Sequence, residues 1–485
     1  MGSPAAGAAG TRTMRMRPDL ETSYRGMTAL VVGAARSGIA SAEFLLSSGA
    51  RVILTDSRDD ESLRSSLAAL RKTAAGPGEL ILELGGHQSE SFTRCDFVVV
   101  SPGVPASLPH LEESRRLGIP IIPEVELAYR HLKGTIIGIT GSNGKTTTTV
   151  LVAEILQASG KKARVAGNIG LPLIGFVASS QPGDIFATEL SSFQLECLRD
   201  FRPHMAAILN LSPDHMDRHR SFEDYMETKR RIFLNQGYGD VAVLNRDDAR
   251  TSAMAGALRS IPLFFSRRTE VDLGAFVKGG RVVYRGGRDE TDLFDTQAIQ
   301  MKGAHNLENV LAACTMALTL GAPAERAAAA VLSFKGLEHR LEWVAEIDGV
   351  QYFNDSKATN VDAALKSLEA FPGNVLMIAG GRDKGGDFSP LRLPVAQRVK
   401  HLVLIGEAAG KIGDALGEDA AITRARTLPE AVALCRRLAR PGDVVLLAPA
   451  CASFDMFRDF EERGRVFKNA VHEIGGQSPQ IRSRE

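Results

Sequence analysis

The stretch Thr135-Ile-Ile-Gly-Ile139 runs straight into Thr140-Gly-Ser-Asn-Gly-Lys-Thr-Thr-Thr148, and residues of helical character follow at once. An apolar strand, a glycine-rich turn, Lys-Thr and a helix form the arrangement that cradles a nucleoside triphosphate. Backbone N–H groups at the helix start face the phosphates, the lysine adds a point charge, and the threonine hydroxyl reaches Mg²⁺. Gly141, Ser142, Asn143, Gly144, Lys145, Thr146 and Thr147 are therefore expected to hold the phosphates of a nucleoside triphosphate. The spacing departs from the general phosphate-loop pattern, because Ile139 stands where its first glycine belongs.

On either side of this loop, short β-rich apolar runs alternate with helical stretches, the mark of parallel sheets with crossover helices. A first block holds runs at 28–33, 51–56, 96–101 and 119–122. A second holds 135–139, 184–188, 205–210 and 241–245, with a glycine- and charge-rich tail at 262–300 that reads as short antiparallel strands. A third holds 350–354, 374–379, 401–405 and 444–448. The expected fold class is α/β with three domains, each on a mainly parallel sheet with flanking helices. Residues 1–26 read as a disordered extension, 27–123 as the first domain, 124–336 as the second and 337–485 as the third.

The 485 residues suit such a multidomain chain. Its 58 basic and 57 acidic side chains nearly cancel, which argues against nucleic acid and membrane surfaces as partners. No apolar run approaches the ~20 residues of a membrane span. Five cysteines without a Cys-x-x-Cys pair point to a reducing compartment, and the chain is expected to be cytoplasmic.

Ligands gather outside the carboxyl ends of strands in open parallel sheets. In the first block Gly33-Ala-Ala-Arg-Ser-Gly38 approximates a dinucleotide fingerprint, with Ala35 in place of its second glycine. Arg36 and Ser37 in that turn suit a diphosphate, Asp56, Ser57 and Arg58 suit a ribose or base edge, and Gly103 permits close approach. In the second block Glu189, at the tip of a strand beside the phosphate loop, is a natural Mg²⁺ ligand or water holder. His215 follows the next strand between aspartates. Lys229, read alone, would pass for a solvated helix lysine. In the third block Gly336-Leu-Glu-His-Arg340, Asn354-Asp-Ser-Lys-Ala-Thr-Asn360, Gly380-Gly-Arg-Asp-Lys-Gly-Gly386 and Ala448-Pro-Ala-Cys-Ala-Ser-Phe454 lie at strand ends.

Together these segments resemble the Mur ligases, the ATP-dependent amino-acid-adding enzymes of peptidoglycan precursor synthesis, from about residue 27 to 472. Thr-Gly-x-Asn-Gly-Lys-Thr is shared with folylpolyglutamate ligases. The narrower markers are Glu189-Leu-Ser-Ser-Phe-Gln-Leu-Glu196, Asp214-His-Met-Asp217, Asn354 to Asn360, and Ser453-Phe-Asp-Met-Phe457 with Phe460. The resemblance is strongest to members that add D-glutamate, and it implies a Rossmann-like first domain, a phosphate-loop central domain and a Rossmann-like third domain. It implies ligation of D-glutamate to UDP-N-acetylmuramoyl-L-alanine through an acyl phosphate, by a monomer, with another Mur-type or folylpolyglutamate-type ligase as the alternative. Arg36, Ser37, Asp56, Ser57, Arg58 and Gly103 would then hold the uridine diphosphate, and Asn168 the muramoyl-alanine. The nucleoside triphosphate would be ATP, with Asn306 and Asp355 facing its adenosine and Arg340 on its γ-phosphate. Thr359, Lys384, Ser453 and Phe460 would capture D-glutamate. Thr146, Glu189, His215 and an N-carboxylated Lys229 would serve two Mg²⁺ ions, and Lys145, Glu189, His215, Lys229 and Arg340 would be catalytic. Residues near 336 would act as a hinge.

Overall fold

The computed structural model describes residues 24–73, 77–216, 218–383, 385–417 and 420–476. The expected N-terminal extension lies almost wholly outside them, as does Lys384. The chain divides into two compact units between Phe264 and Phe265.

In the first unit, β1 (Thr28–Val32), β2 (Arg51–Asp56), β3 (Glu79–Leu84), β4 (Phe97–Val100) and β5 (Ile121–Pro123) pair in the order β3-β2-β1-β4-β5, all parallel. The central strand β1 is covered on both faces, and Leu30, Val31 and Val32 are fully buried, so its sequence is continuously apolar from Ala29 to Val32 rather than alternating. A second parallel set follows. It comprises β6 (Thr135–Thr140), β7 (Ala163–Gly167), β8 (Ile185–Glu189), β9 (Met205–Ile208) and β10 (Val241–Asn245), in the order β7-β8-β6-β9-β10. One apolar cluster runs from Val31 and Leu54 to Phe186, Ile208 and Leu244, so this unit shares a continuous core.

Register decides where the chemistry sits. Ile139 of β6 pairs with Glu189 of β8, Gly167 of β7 pairs with the same glutamate, and Thr140 pairs with Ile208. The loops leaving β6, β7, β8 and β9 therefore emerge side by side at one sheet edge.

Strand β11 (Ile261–Ser266) runs through the division between the units. In the second unit β12 (Gly274–Lys278), β13 (Arg281–Arg285) and β14 (Glu290–Asp295) make an antiparallel meander. Two helices, Ala304–Thr319 and Ala324–Ser333, come next. A six-stranded sheet then forms from β15 (Glu342–Ile347), β16 (Val350–Asn354), β17 (Val375–Gly380), β18 (Val399–Ile405), β19 (Ala421–Arg424) and β20 (Val444–Leu447). Its order is β15-β16-β20-β17-β18-β19, parallel except for the β15–β16 pair. The ends of β16, β20 and β17 are adjacent, which brings the 354–360, 448–454 and 380–386 segments to one edge. The α/β architecture with mainly parallel sheets agrees with the sequence expectation. Four strands escape that reading: β3, β7, β15 and β19.

Candidate functional site

The phosphate loop opens with Gly141 at φ 149° and closes with Gly144 at φ 83°, a left-handed position that glycine takes without strain. Gly144 caps helix Lys145–Ala158 and offers no side chain to its N-terminus. That end carries the positive pole of the helix, which favours an anion. The loop is pinned from β9: Asn143 N–H donates to Asn210 Oδ1 (2.8 Å), Asn210 Nδ2 donates to Asn143 O (3.1 Å), and Ser142 Oγ donates to Ser212 O (2.8 Å). Lys145 Nζ donates to the carbonyls of Gly141 and Ser142, each at 2.8 Å.

Glu189 sits at the centre of this edge and is buried. Its Oε2 accepts from Thr146 Oγ1 (2.7 Å) and its Oε1 from Asn168 Nδ2 (2.8 Å). Thr146 and Glu189, expected from the sequence to serve the metal, and Asn168, expected to hold the muramoyl-alanine, thus meet at one carboxylate. His215 has φ 55°, a conformation costing a non-glycine residue on the order of 1–3 kcal/mol. Its ring meets the ring of Phe193 edge-on at 4.9 Å, and its Nε2 lies 3.7 Å from Asp214 Oδ2.

Lys229 is no solvated helix lysine. Helix Phe222–Arg230 starts at Ser221, whose side chain accepts from Asp224 N–H, with Glu223 and Asp224 in the first turn to suit the helix dipole. That placement turns Lys229 inward until 1% of it remains exposed. Its Nζ donates to Thr140 Oγ1 (3.3 Å) and lies 4.6 Å from the Tyr225 ring centroid. Burial first, and the ammonium of Lys145 second, push its pKa well below the ordinary lysine value, against the pull of Asp214 and Glu189.

The first sheet presents a preformed turn. Ala34 N–H donates to Asp56 Oδ2 (2.8 Å), and Arg58 reaches both oxygens of Asp56 at 3.1 Å. Burial pushes the Asp56 carboxyl up, but the contacts from Arg58 and Ala34 outweigh it and hold the pKa below its ordinary value. A Cβ at Gly38 would lie 1.8 Å from Gly33 O, which explains that glycine by packing. A Cβ at Gly103 would meet nothing within 4 Å, so the protein's own packing does not demand glycine there. Ser37 O accepts from Ser41 Oγ within its helix, and Ser57 is exposed. Arg36 Nη1 donates to Gly170 O (3.4 Å), in the loop that carries Asn168.

In the second unit, Asp355 N–H donates to Leu447 O (2.8 Å), and its carboxylate accepts from Ser367 Oγ. Burial raises that carboxyl to about 6, with Ser367 and Arg340 opposing. Asn306 is buried and donates to Lys302 O (2.7 Å). Ser453 is buried at the end of the β20 segment, where its carbonyl accepts from Met456 and Phe457 N–H. Lys357 stands 3.9 Å over the ring of Phe460, and Phe460 O accepts from Ser356 Oγ (2.8 Å). Thr359 N–H donates to Lys357 O (2.7 Å) in the same segment.

Sequence reasoning passed over several supports: Asn210, Tyr225, the Glu196–Arg218 pair and Arg463. Asn210 had a signal, since it is a polar residue at a strand end next to the loop. The others reveal themselves only through tertiary contacts.

A glycine-bearing turn after the central strand of one parallel sheet and a glycine-rich strand–loop–helix on the next place the chain among α/β proteins with ligand edges at the carboxyl ends of their strands. Family profiles cover most of the chain. They are the Mur ligase MurD-like N-terminal domain at residues 27–123, the Mur ligase middle domain at 139–317, and the Mur ligase glutamate ligase domain at 339–451. The UDP-N-acetylmuramoylalanine--D-glutamate ligase of Acidobacterium capsulatum is 48% identical over 449 residues, covering 92% of this chain and 96% of the relative. The enzyme of the same name from Geotalea uraniireducens is 46% identical over 446 residues, covering 92% and 97%. The chain belongs to the Mur ligase family. Among solved structures, a pseudomurein peptide ligase type C from Methanothermus fervidus aligns with a TM-score of 0.59 at 18% identity, covering 92% of this chain and all of that one. The MurF ligase from Thermotoga maritima, in complex with ADP, aligns with a TM-score of 0.58 at 16% identity, covering 87% and 96%. These two likenesses concern the fold alone.

Proposed function

We infer that this chain joins D-glutamate to the carboxylate of UDP-N-acetylmuramoyl-L-alanine with hydrolysis of ATP to ADP and phosphate, a step of peptidoglycan precursor synthesis. The observation that carries the reading is the cluster Lys145–Thr146–Glu189–Asn168 with Lys229 buried beside it, in a chain 46–48% identical to D-glutamate ligases over most of its length. A carboxylate is a poor acceptor for an amine. Its oxygen therefore attacks the γ-phosphorus of ATP, ADP leaves, and an acyl phosphate results. The glutamate nitrogen, having lost a proton, then attacks the acyl carbon, and phosphate departs as the amide bond forms.

Lys145 releases its two loop carbonyls to stabilise charge developing on the transferring phosphoryl group. Arg340 of the second unit has the chemistry for the same group, and Asn306 and Asp355 for the adenosine. Arg36, Ser37, Asp56, Ser57, Arg58 and Gly103 hold the uridine diphosphate, and Asn168 the muramoyl-alanine. Thr359, Lys384, Ser453 and Phe460 receive D-glutamate. The buried Glu189 carboxylate and adjoining Thr146 hydroxyl are hard oxygen donors that suit Mg²⁺, with His215 and a carbamate on Lys229 as further ligands. Bound there, Mg²⁺ would supply charge neutralisation for the phosphoryl oxygens. A buried lysine held toward its neutral form is the form that adds to carbon dioxide, making an N–C bond and releasing a proton. The working domains are 27–123, 124–336 and 337–485, preceded by the extension 1–26. No helix among the described residues is long and apolar enough to cross a membrane, and we place this monomeric enzyme in the cytoplasm, where ATP and nucleotide precursors are made.

The test is ADP release by the purified chain with each substrate omitted in turn. Release that requires both UDP-N-acetylmuramoyl-L-alanine and D-glutamate is expected. Equal release with L-lysine or L-alanine in place of D-glutamate would overturn the reading.

A further inference from the structure

Two of the motifs that mark this chain, Glu189 to Glu196 and Asp214 to Asp217, contain or adjoin residues that the chemistry above leaves unused: Phe193, Glu196 and Arg218. The structure brings these three together. Arg218 Nε donates to Glu196 Oε1 (3.1 Å) and its Nη2 to Glu196 Oε2 (2.8 Å), a two-pronged pair in which each side chain is 15% exposed. Its Nη1 also donates to Pro102 O (3.3 Å) and its Nη2 to Val104 O (2.8 Å). Those carbonyls flank Gly103, in the loop that follows β4 of the first sheet. The guanidinium lies 4.3 Å from the centroid of the Phe193 ring, and that ring is the one that meets His215.

The same turn is closed by backbone. Arg218 N–H and His219 N–H both donate to His215 O, at 3.0 and 3.1 Å, and His219 Nε2 hydrogen-bonds with Ser192 Oγ (3.0 Å). One guanidinium therefore touches four things: the carboxylate of Glu196, the ring that packs on His215, and the two carbonyls beside Gly103. A planar fork with several fixed N–H directions can do this, while a lysine offers a single point charge on a flexible stem. A reciprocal contact runs the other way through Arg36, which reaches Gly170 O near Asn168.

We propose that Arg218, oriented by Glu196 and Phe193, is a positioning residue that couples the nucleotide-sugar seat around Gly103 to the turn that presents His215. This rests on the reading of the chain as a nucleotide-sugar ligase. When the diphosphate settles on the 101–104 loop, the loop is held still, and Arg218 passes that order to the His215 turn. In the other direction, an ordered turn stiffens the loop before the ligand arrives. Neither segment needs Arg218 to touch substrate.

The experiment compares the full chain with Arg218→Lys, Arg218→Ala and Glu196→Gln. It measures kcat, the three KM values, thermal midpoints, and calorimetric binding of UDP-N-acetylmuramoyl-L-alanine without ATP or D-glutamate. The coupling predicts that Arg218→Lys raises the KM and Kd for the nucleotide sugar about tenfold and lowers kcat several-fold. The KM values for ATP and D-glutamate should stay within twofold and the thermal midpoint within a few degrees. Glu196→Gln should move the same two parameters in the same direction, by less. If Arg218→Ala does not fold, the lysine and glutamine variants carry the test. The proposal is overturned if the nucleotide-sugar Kd of Arg218→Lys stays within twofold, or if all three KM values shift together with a fallen midpoint, the pattern of a merely structural residue. A wild-type chain that binds the nucleotide sugar but does not use D-glutamate would count against the ligase reading alone, because the calorimetric comparison stands without turnover.

Discussion

Among the described residues, two cations are buried almost completely, and they are handled in opposite ways. Lys229, at the edge of the central sheet, is 1% exposed and makes a hydrogen bond to Thr140 Oγ1. Arg463, in helix Phe460–Ile474 of the second unit, is 0% exposed and makes five. Its Nε and Nη2 donate to Ser356 Oγ (3.0 Å) and Ser356 O (2.8 Å), and Nη1 and Nη2 reach the carbonyls of Cys451 and Ala452 at 3.2–3.3 Å. Burial lowers both pKa values, well below the ordinary value for Lys229 and to about 10 for Arg463. The lysine is thereby held toward the neutral amine, and the arginine stays charged at neutral pH. A poorly solvated lysine is a reactive group in waiting, while a guanidinium surrounded by carbonyls is a fastener. It ties the 354–360 segment to the 448–454 segment, both expected to receive the amino acid.

The sharpest way to break this contrast is to remove each cation and ask what is lost. Lys145→Ala takes away the fixed charge next to Lys229. Loss of one charge-stabilising contact costs on the order of 3–4 kcal/mol, so kcat should fall by about two to three decades with the fold intact. A kcat near that of the wild type in a folded variant would show that the loop cation is dispensable. Lys229→Ala should abolish most turnover while leaving the unfolding midpoint close to normal, and short-chain carboxylates should restore part of the rate by standing in for the carbamate. Intact-mass analysis that finds only the unmodified lysine in fully active enzyme would count against that role. Arg463→Met should show the converse pattern. Three carbonyls would lose a buried donor, so urea unfolding should report a stability loss of roughly 2–4 kcal/mol, with a smaller change in the KM for ATP than in that for D-glutamate. A stability within about 0.5 kcal/mol of the wild type would remove the fastener from the comparison.

Strands covered on both faces, such as β1, β6 and β8, carry unbroken apolar runs at Ala29–Val32, Ile136–Ile139 and Ile185–Ala187 and stand out in the sequence. The strands that escaped, β3, β7, β15 and β19, all lie at sheet edges. There one flank is exposed or half-buried, and Glu79-Leu-Ile-Leu-Glu-Leu84 carries charges that break the apolar run. The site divides along a similar line. Residues expected to present a group to a ligand sit at strand ends, as Glu189 and Asp56 do, or in the glycine-rich loop after one, as Lys145 does, and are readable there. Lys229 reads by itself as a surface lysine, because its burial depends on how its helix docks. Arg218 and Arg463 belong to the same class, since their partners lie as far away in sequence as Val104 and Ser356.

Gly464 adds a constraint of a different sort. It sits inside helix Phe460–Ile474, where glycine weakens a helix by about 0.5–1 kcal/mol relative to alanine. A Cβ there would come within 2.1 Å of His339 Nδ1. His339 is itself buried at φ 64°, next to Arg340 and two residues before Leu341 at φ 47°. The notch left by the missing methyl group is thus the seat of the imidazole that starts the bend around Arg340. Filling it would push on an arginine expected to face a phosphate, without altering any residue that touches a substrate. A mutation scored as a mild gain in helix propensity would be felt as a loss of aim.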